Sequence, residues 1–148
     1  GRVDFGTGES SSEAELGGFM VDPEKKRAMW EEGLRVAVRC MTEAPFTGHS
    51  GEFVIMPPRN VVPKPRQKPH PPIYMAAYTP PAMERTAREA DGWFPVGIPL
   101  SAVAGMFAQL RQSAKQAAPD RRFELILRGN VEFSSSPAAL PPLAAISR

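Results

Sequence analysis

The chain has 148 residues, the size of one ordinary domain, and its 42% hydrophobic content is enough to bury a core. A formal net charge of +2 gives no electrostatic case for nucleic acid or for an anionic membrane surface as partner. The single cysteine, Cys40, excludes an internal disulfide framework and suits a reducing, cytoplasmic compartment, while no apolar run approaches the roughly 20 residues of a membrane span.

Gly1 opens the sequence without an initiating methionine, as expected of a piece cut from something longer. Val3-Asp4-Phe5-Gly6 reads as a strand end, breaking into the loop Thr7-Gly8-Glu9-Ser10-Ser11-Ser12. Small residues at Gly6 and Gly8 let a flat ligand lie close to the backbone. Glu9 is the ionisable group of the loop's first turn, hence the candidate for acid–base work; the plain alternative is a strand-to-loop turn with a solvated glutamate. A short helical turn is expected over 13–19. Asp22-Pro23-Glu24 then gives a helix start, with an N-cap, a proline and an acid in the first turn. Trp30, Leu34, Ala37, Val38 and Met41 fall on one apolar stripe, expected to be core contact, to about Thr42 or Glu43. Cys40 lies in this helix and reads as a packed thiol. A hairpin is expected from Phe46 to Met56, with its turn at 47–51 and His49 at the exposed tip. The proline-dense run 57–72 holds an extended path. Its interleaved cations make a weak patch, and a stiff connector is the expectation; His70 has no neighbour at metal-ligand spacing.

The run from Pro71 to Val96 organises the rest. Ile73-Tyr74-Met75-Ala76-Ala77 is a buried strand, Tyr78-Thr79 a polar corner, and Pro80-Pro81 the first turn of a helix whose face carries Met83, Ala87 and Ala90. Asp91-Gly92 stops that helix, with Gly92 expected in the left-handed conformation, and Trp93–Val96 forms the next strand. Strand, corner, helix, strand is a βαβ unit. Its corner, Ala77, Tyr78 and Thr79, is a phosphate-binding candidate, because backbone amides and the helix dipole point outward there. A further helix places Val103, Phe107, Leu110 and Ala114 on one face, and Phe123–Leu127 is a strand that could continue to Val131. Residues 134–148 lack periodicity and read as an irregular tail. The order of elements belongs to the α/β class. A doubly wound sheet would bring the G-x-G-x-x-G fingerprint, and Gly6-Thr7-Gly8 lacks its third glycine. An incomplete (β/α)8 TIM barrel fits better: a whole one needs roughly 250 residues, so residues 1–133 would be about the middle half.

Four stretches, GRVDFGTGE, GFMVDPEKKRAMWEEGL, VVPKPRQKPHPPIYMAA and AREADGWFPVG, resemble the luciferase-like monooxygenase superfamily, whose members use FMN or coenzyme F420 on a (β/α)8 barrel. By this resemblance the first strand of the chain is the third of the barrel, with earlier and closing strands absent. Thr7-Gly8-Glu9 is similar to the loop of the F420-dependent sugar-phosphate dehydrogenases, which implies coenzyme F420, with FMN as the alternative. Asp91-Gly92-Trp93 points the same way, whereas Tyr78-Thr79 stands where the F420 branch often carries Gly-Gly. The resemblance implies hydride transfer between a deazaflavin and a small organic substrate. Glu9 would be the general acid or base, Gly6, Thr7 and Gly8 would lie at the ring, and Ala77, Tyr78 and Thr79 at the cofactor phosphate. It implies an oxidoreductase that is a possible homodimer when full length, and the fragment alone would be inactive. A non-catalytic truncated chain or partner subunit is the alternative from another class.

Overall fold

The computed structural model describes residues 3–127, and the chain divides into two compact units, Gly1–Pro71 and Pro72–Arg148. In the first unit, β1 (Phe5–Thr7) runs out into the loop that carries Glu9. Helix α1 (Glu13–Gly18) is capped by the Ser12 hydroxyl, which accepts from the Glu15 amide at 3.3 Å, and its first-turn acids suit the positive end of the dipole. Helix α2 (Lys26–Thr42) ends as the sequence predicts. Its start differs: the Asp22 carboxylate accepts from the Glu24 amide at 2.9 Å and closes a turn ahead of the helix, so Asp-Pro introduces α2 without capping it.

The fully buried positions of α2 are Glu32 and Val36, while Trp30, Leu34, Ala37, Val38 and Met41 are half-buried. The stripe therefore packs, but the most enclosed face carries a carboxylate. Strands β2 (His49–Ser50) and β3 (Ile55–Met56) pair antiparallel, His49 opposite Met56, and a bridge between Phe46 and Arg59 extends the hairpin. The turn therefore lies at 51–54, not at 47–51, and His49 is a half-buried strand residue, not an exposed tip. The reason is Glu32. Its carboxylate accepts from the amides of Phe53 (3.2 Å) and Val54 (2.9 Å) and meets His49 Nε2 at 2.9 Å. At Gly51 any Cβ would collide with the Glu32 carboxylate. Burial alone would push the Glu32 carboxyl up, but His49 and the two amides outweigh it and hold it below its ordinary value. The half-buried Cys40 thiol packs with its sulfur 3.8 Å from that of Met56. The proline-rich run is tethered by Lys64 Nζ to the Cys40 carbonyl (2.6 Å) and by the Gln67 amide to the Val3 carbonyl (2.8 Å).

In the second unit, β4 (Ile73–Met75), β5 (Gly92–Trp93) and β6 (Glu124–Leu125) are parallel, with Tyr74 opposite Gly92 and Gly92 opposite Glu124. Helix α3 (Pro80–Glu89) connects the first pair and α4 (Leu100–Ala117) the second. Ala77, Ala87, Trp93, Val103, Leu110, Ala114 and Phe123 form the buried core of this unit, with the Phe107 and Phe123 rings stacked at 6.1 Å. Strand β4 is buried at each of its three positions, as its apolar run predicts, whereas β6 carries Glu124 and is only partly buried.

Gly92 is not a left-handed helix cap. Helix α3 ends at extended Ala90, and its last carbonyls, of Ala87 and Arg88, accept from the Arg121 guanidinium. Gly92 is instead a close-approach position at the sheet's centre: a Cβ there would overlap the Glu124 carbonyl and come within 2.6 Å of the Tyr74 ring. The carboxylate of Asp91 accepts from the Ile73 amide at 2.8 Å and so joins β4 to the head of β5. The predicted tail, 134–148, and any extension of β6 to Val131 lie outside the described residues.

Candidate functional site

In the first unit, a cavity of about 460 Å³ opens beside the tip of β1, lined by Gly8, Glu9 and Ser10 from the loop and by side chains of α1 and α2. Its walls are largely apolar: Leu16, Phe19, Val21, Met29 and Trp30, with Lys26 and Glu15 as the further charges. The Glu9 side chain is 20% exposed, so it is reached by solvent only in part. Such a setting, a part-buried carboxylate beside apolar side chains, is one in which a proton can pass to or from a bound molecule.

Helix α2 fixes this loop. Lys26 Nζ donates to the Ser10 carbonyl at 2.6 Å, Arg27 Nε meets Glu9 Oε2 at 3.3 Å, and Trp30 Nε1 donates to the Thr7 hydroxyl at 2.7 Å. On the other side the Ser10 hydroxyl donates to Glu15 Oε2 at 2.6 Å, and Ser10 sits at φ 54°, a left-handed conformation sparsely used by residues other than glycine. Gly6 lies in β1, and a Cβ added there would meet nothing within 4 Å, so its face is open; neither Gly6 nor Thr7 lines the cavity. The structure thus brings Gly8 and Glu9 to one cavity and commits the Thr7 hydroxyl to Trp30.

In the second unit, the corner predicted to bind phosphate lies where β4 passes into α3. Ala77 is buried, and its carbonyl accepts from the Trp93 indole at 2.8 Å, which pins the end of the strand. Tyr78 and Thr79 are exposed. Thr79 is the N-cap residue, extended at φ −92° and ψ 149°, and its side chain makes no capping hydrogen bond, so the hydroxyl is available to a ligand. Pro80 and Pro81 carry no amide hydrogen, so Ala82 supplies the amide of the first helical turn. A phosphate here would meet the Thr79 hydroxyl and amide and the positive end of the α3 dipole. The residues fit the group, with fewer donors than a glycine-rich corner offers.

Sequence reasoning missed two sets of residues. Lys26, Arg27 and Trp30 are part of the loop's support; no local pattern marks the two cations, and the apolar stripe marked Trp30 only as core contact. A second cavity, about 320 Å³, lies past the carboxyl ends of β5 and β6, lined by Pro95, Val96, Gly97, Ile98, Leu100, Val103 and Leu127. Gly97 lines it at φ 70°, and the Gly-x-Pro punctuation after Pro95-Val96 was the available signal.

Residues 1–143 match the family profile described as luciferase-like monooxygenase. Over 94 residues, 64% of this chain, the sequence is 31% identical to the uncharacterized protein y4vJ of Sinorhizobium fredii, covering 26% of that protein. The crystal structure of the monooxygenase RslO1 from Streptomyces bottropensis superposes with a TM-score of 0.68 at 29% identity, over 79% of this chain and 36% of that one. An F420-dependent secondary alcohol dehydrogenase, solved with an F420–acetone adduct, gives a TM-score of 0.67 at 17% identity, over 86% of this chain and 39% of that one, a likeness of fold alone. The α/β elements are those of part of a luciferase-like TIM barrel. The chain spans between 26% and 39% of the length of these relatives.

Proposed function

The chain belongs to the luciferase-like monooxygenase family, and from that premise we propose that the whole protein is an F420-dependent oxidoreductase acting on a small organic molecule. The observation that carries this reading is Glu9: a carboxylate, 20% exposed, on the wall of a largely apolar cavity directly after Thr7-Gly8 at a strand tip. A proton donor or acceptor in that position suits a two-electron reduction or oxidation of a carbon–oxygen bond.

Bound F420 supplies the hydride acceptor or donor. The chain's own residues do the rest. Glu9 gives or takes the proton at the substrate oxygen. Leu16, Met29 and Trp30 hold the apolar body of the substrate and exclude water. The Thr79 hydroxyl and amide hold the cofactor phosphate, with Ala77 fixed behind them by Trp93. Gly6 and Gly8 leave the loop's face clear for the flat ring. Residues 1–133 act in this reading as part of one barrel domain, with a hairpin and proline-rich connector at 46–72.

A second reading is an FMN-dependent monooxygenase. It is favoured by the 29% identity to the monooxygenase RslO1 and by Tyr78-Thr79 at the corner in place of the Gly-Gly frequent in the F420 branch. The acid–base reading is tested by Glu9→Gln in the full-length enzyme, which should lower turnover about 10²–10⁴-fold and leave cofactor affinity unchanged. Equal turnover of variant and parent would dismiss it.

A further inference from the structure

The carboxylate of Glu9 belongs to a loop, and a glutamate side chain left to itself samples many rotamers. Loop flexibility and side-chain freedom together would blur the geometry that proton transfer needs. The first turns of α2 oppose this at three successive points. Trp30 holds Thr7 (2.7 Å), Arg27 holds Glu9 (3.3 Å) and Lys26 holds the Ser10 carbonyl (2.6 Å). Positions 26, 27 and 30 share one side of a helix, so a single rigid element grips both sides of the carboxylate as well as the carboxylate itself.

Arg27 differs from its neighbours. Lys26 and Trp30 line the cavity with Glu9, whereas Arg27 is not among the lining residues and its side chain is 50% exposed. It reaches Glu9 from outside the cavity. Its guanidinium engages Glu9 Oε2 through Nε at 3.3 Å, while Glu9 itself lines the cavity. A cation placed this way does not touch substrate; it acts through the carboxylate.

We propose that Arg27 is the positioning residue for Glu9, restricting its side chain to one rotamer at the cavity wall. This rests on the acid–base reading of Glu9 given above. The contact is a single charge-assisted one, Nε to Oε2 at 3.3 Å, so it restrains the carboxylate through one oxygen. The contact with Glu9 also spans 18 residues of sequence, so it ties the loop to the helix and not to itself.

The test uses the cofactor-free full-length protein with ¹³C-labelled glutamate, and reads side-chain couplings and relaxation of Glu9 by NMR. The expected result is a single rotamer in the parent, rotamer averaging in Arg27→Gln, and averaging intermediate between the two in Arg27→Lys, with the Trp30 indole N–H signal unmoved throughout. An unchanged Glu9 rotamer in Arg27→Gln would overturn the proposal. So would a shift of the Trp30 signal together with Glu9, because that would mean the whole loop had moved. Failure here is separate from failure of the acid–base reading, which is read from turnover of Glu9→Gln alone.

Discussion

At the scale of single residues, the corner between β4 and α3 makes the sharpest demand. Pro80 and Pro81 have already removed two amide hydrogens from the helix start, so under the proposed reading each remaining donor would carry more of a phosphate's binding. Thr79→Pro would remove another amide and the free hydroxyl together. Cofactor affinity of the full-length enzyme should fall about tenfold or more, the value of losing a hydrogen bond to a charged group. Unchanged affinity by fluorescence titration would remove the corner from the account. Glu9 stands out in the sequence as the ionisable group of a glycine-spaced loop, and the structure adds its place on a cavity wall. Arg27 does not, since nothing in EKKRAMW says which cation faces a loop 18 residues earlier.

At the scale of elements, the β4–α3–β5 unit was readable because its signals are local: an apolar run, Pro-Pro at the helix start, and small apolar residues at helical spacing. The β2–β3 hairpin was not. Its register is set by the buried Glu32, whose carboxylate collects the amides of Phe53 and Val54, and a turn search over 47–51 sees only the glycines. Gly92 was recognised as necessary for the wrong reason; sheet packing against Tyr74 and Glu124, not helix capping, excludes a side chain. Gly92→Ala should therefore destabilise by about 1–3 kcal/mol, as overpacking does. An unaltered Tm would show that the strands can part to admit a methyl group.

The α2 C-terminus offers a test by pH. Glu43 is held at about 2, below its ordinary 4.5, first by the Arg39 guanidinium (2.5 Å) and then by the Thr47 amide and hydroxyl. Its folded value is depressed, so its contribution is complete above about 4.5 and is lost as pH falls towards 2. The stability of Glu43→Gln and parent, compared by denaturant unfolding, should converge as pH falls through that window. A difference that stays constant from above about 4.5 down towards 2 would contradict the pairing.

At the scale of the whole molecule, the family and the α/β barrel class were legible, since the Asp-Pro helix start and the proline-rich lead into β4 are specific motifs. The activity is less so. The chain covers 26–39% of its relatives, and among the described residues no helix is long and apolar enough to cross a membrane. The proposed function turns on which redox cofactor a complete barrel would take. The direct measurement is a paired titration of the purified full-length protein with F420 and with FMN. Saturable F420 binding, with FMN weaker and readily lost on dialysis, is the result expected of Thr7-Gly8-Glu9. Retention of FMN with no binding of F420 would contradict it.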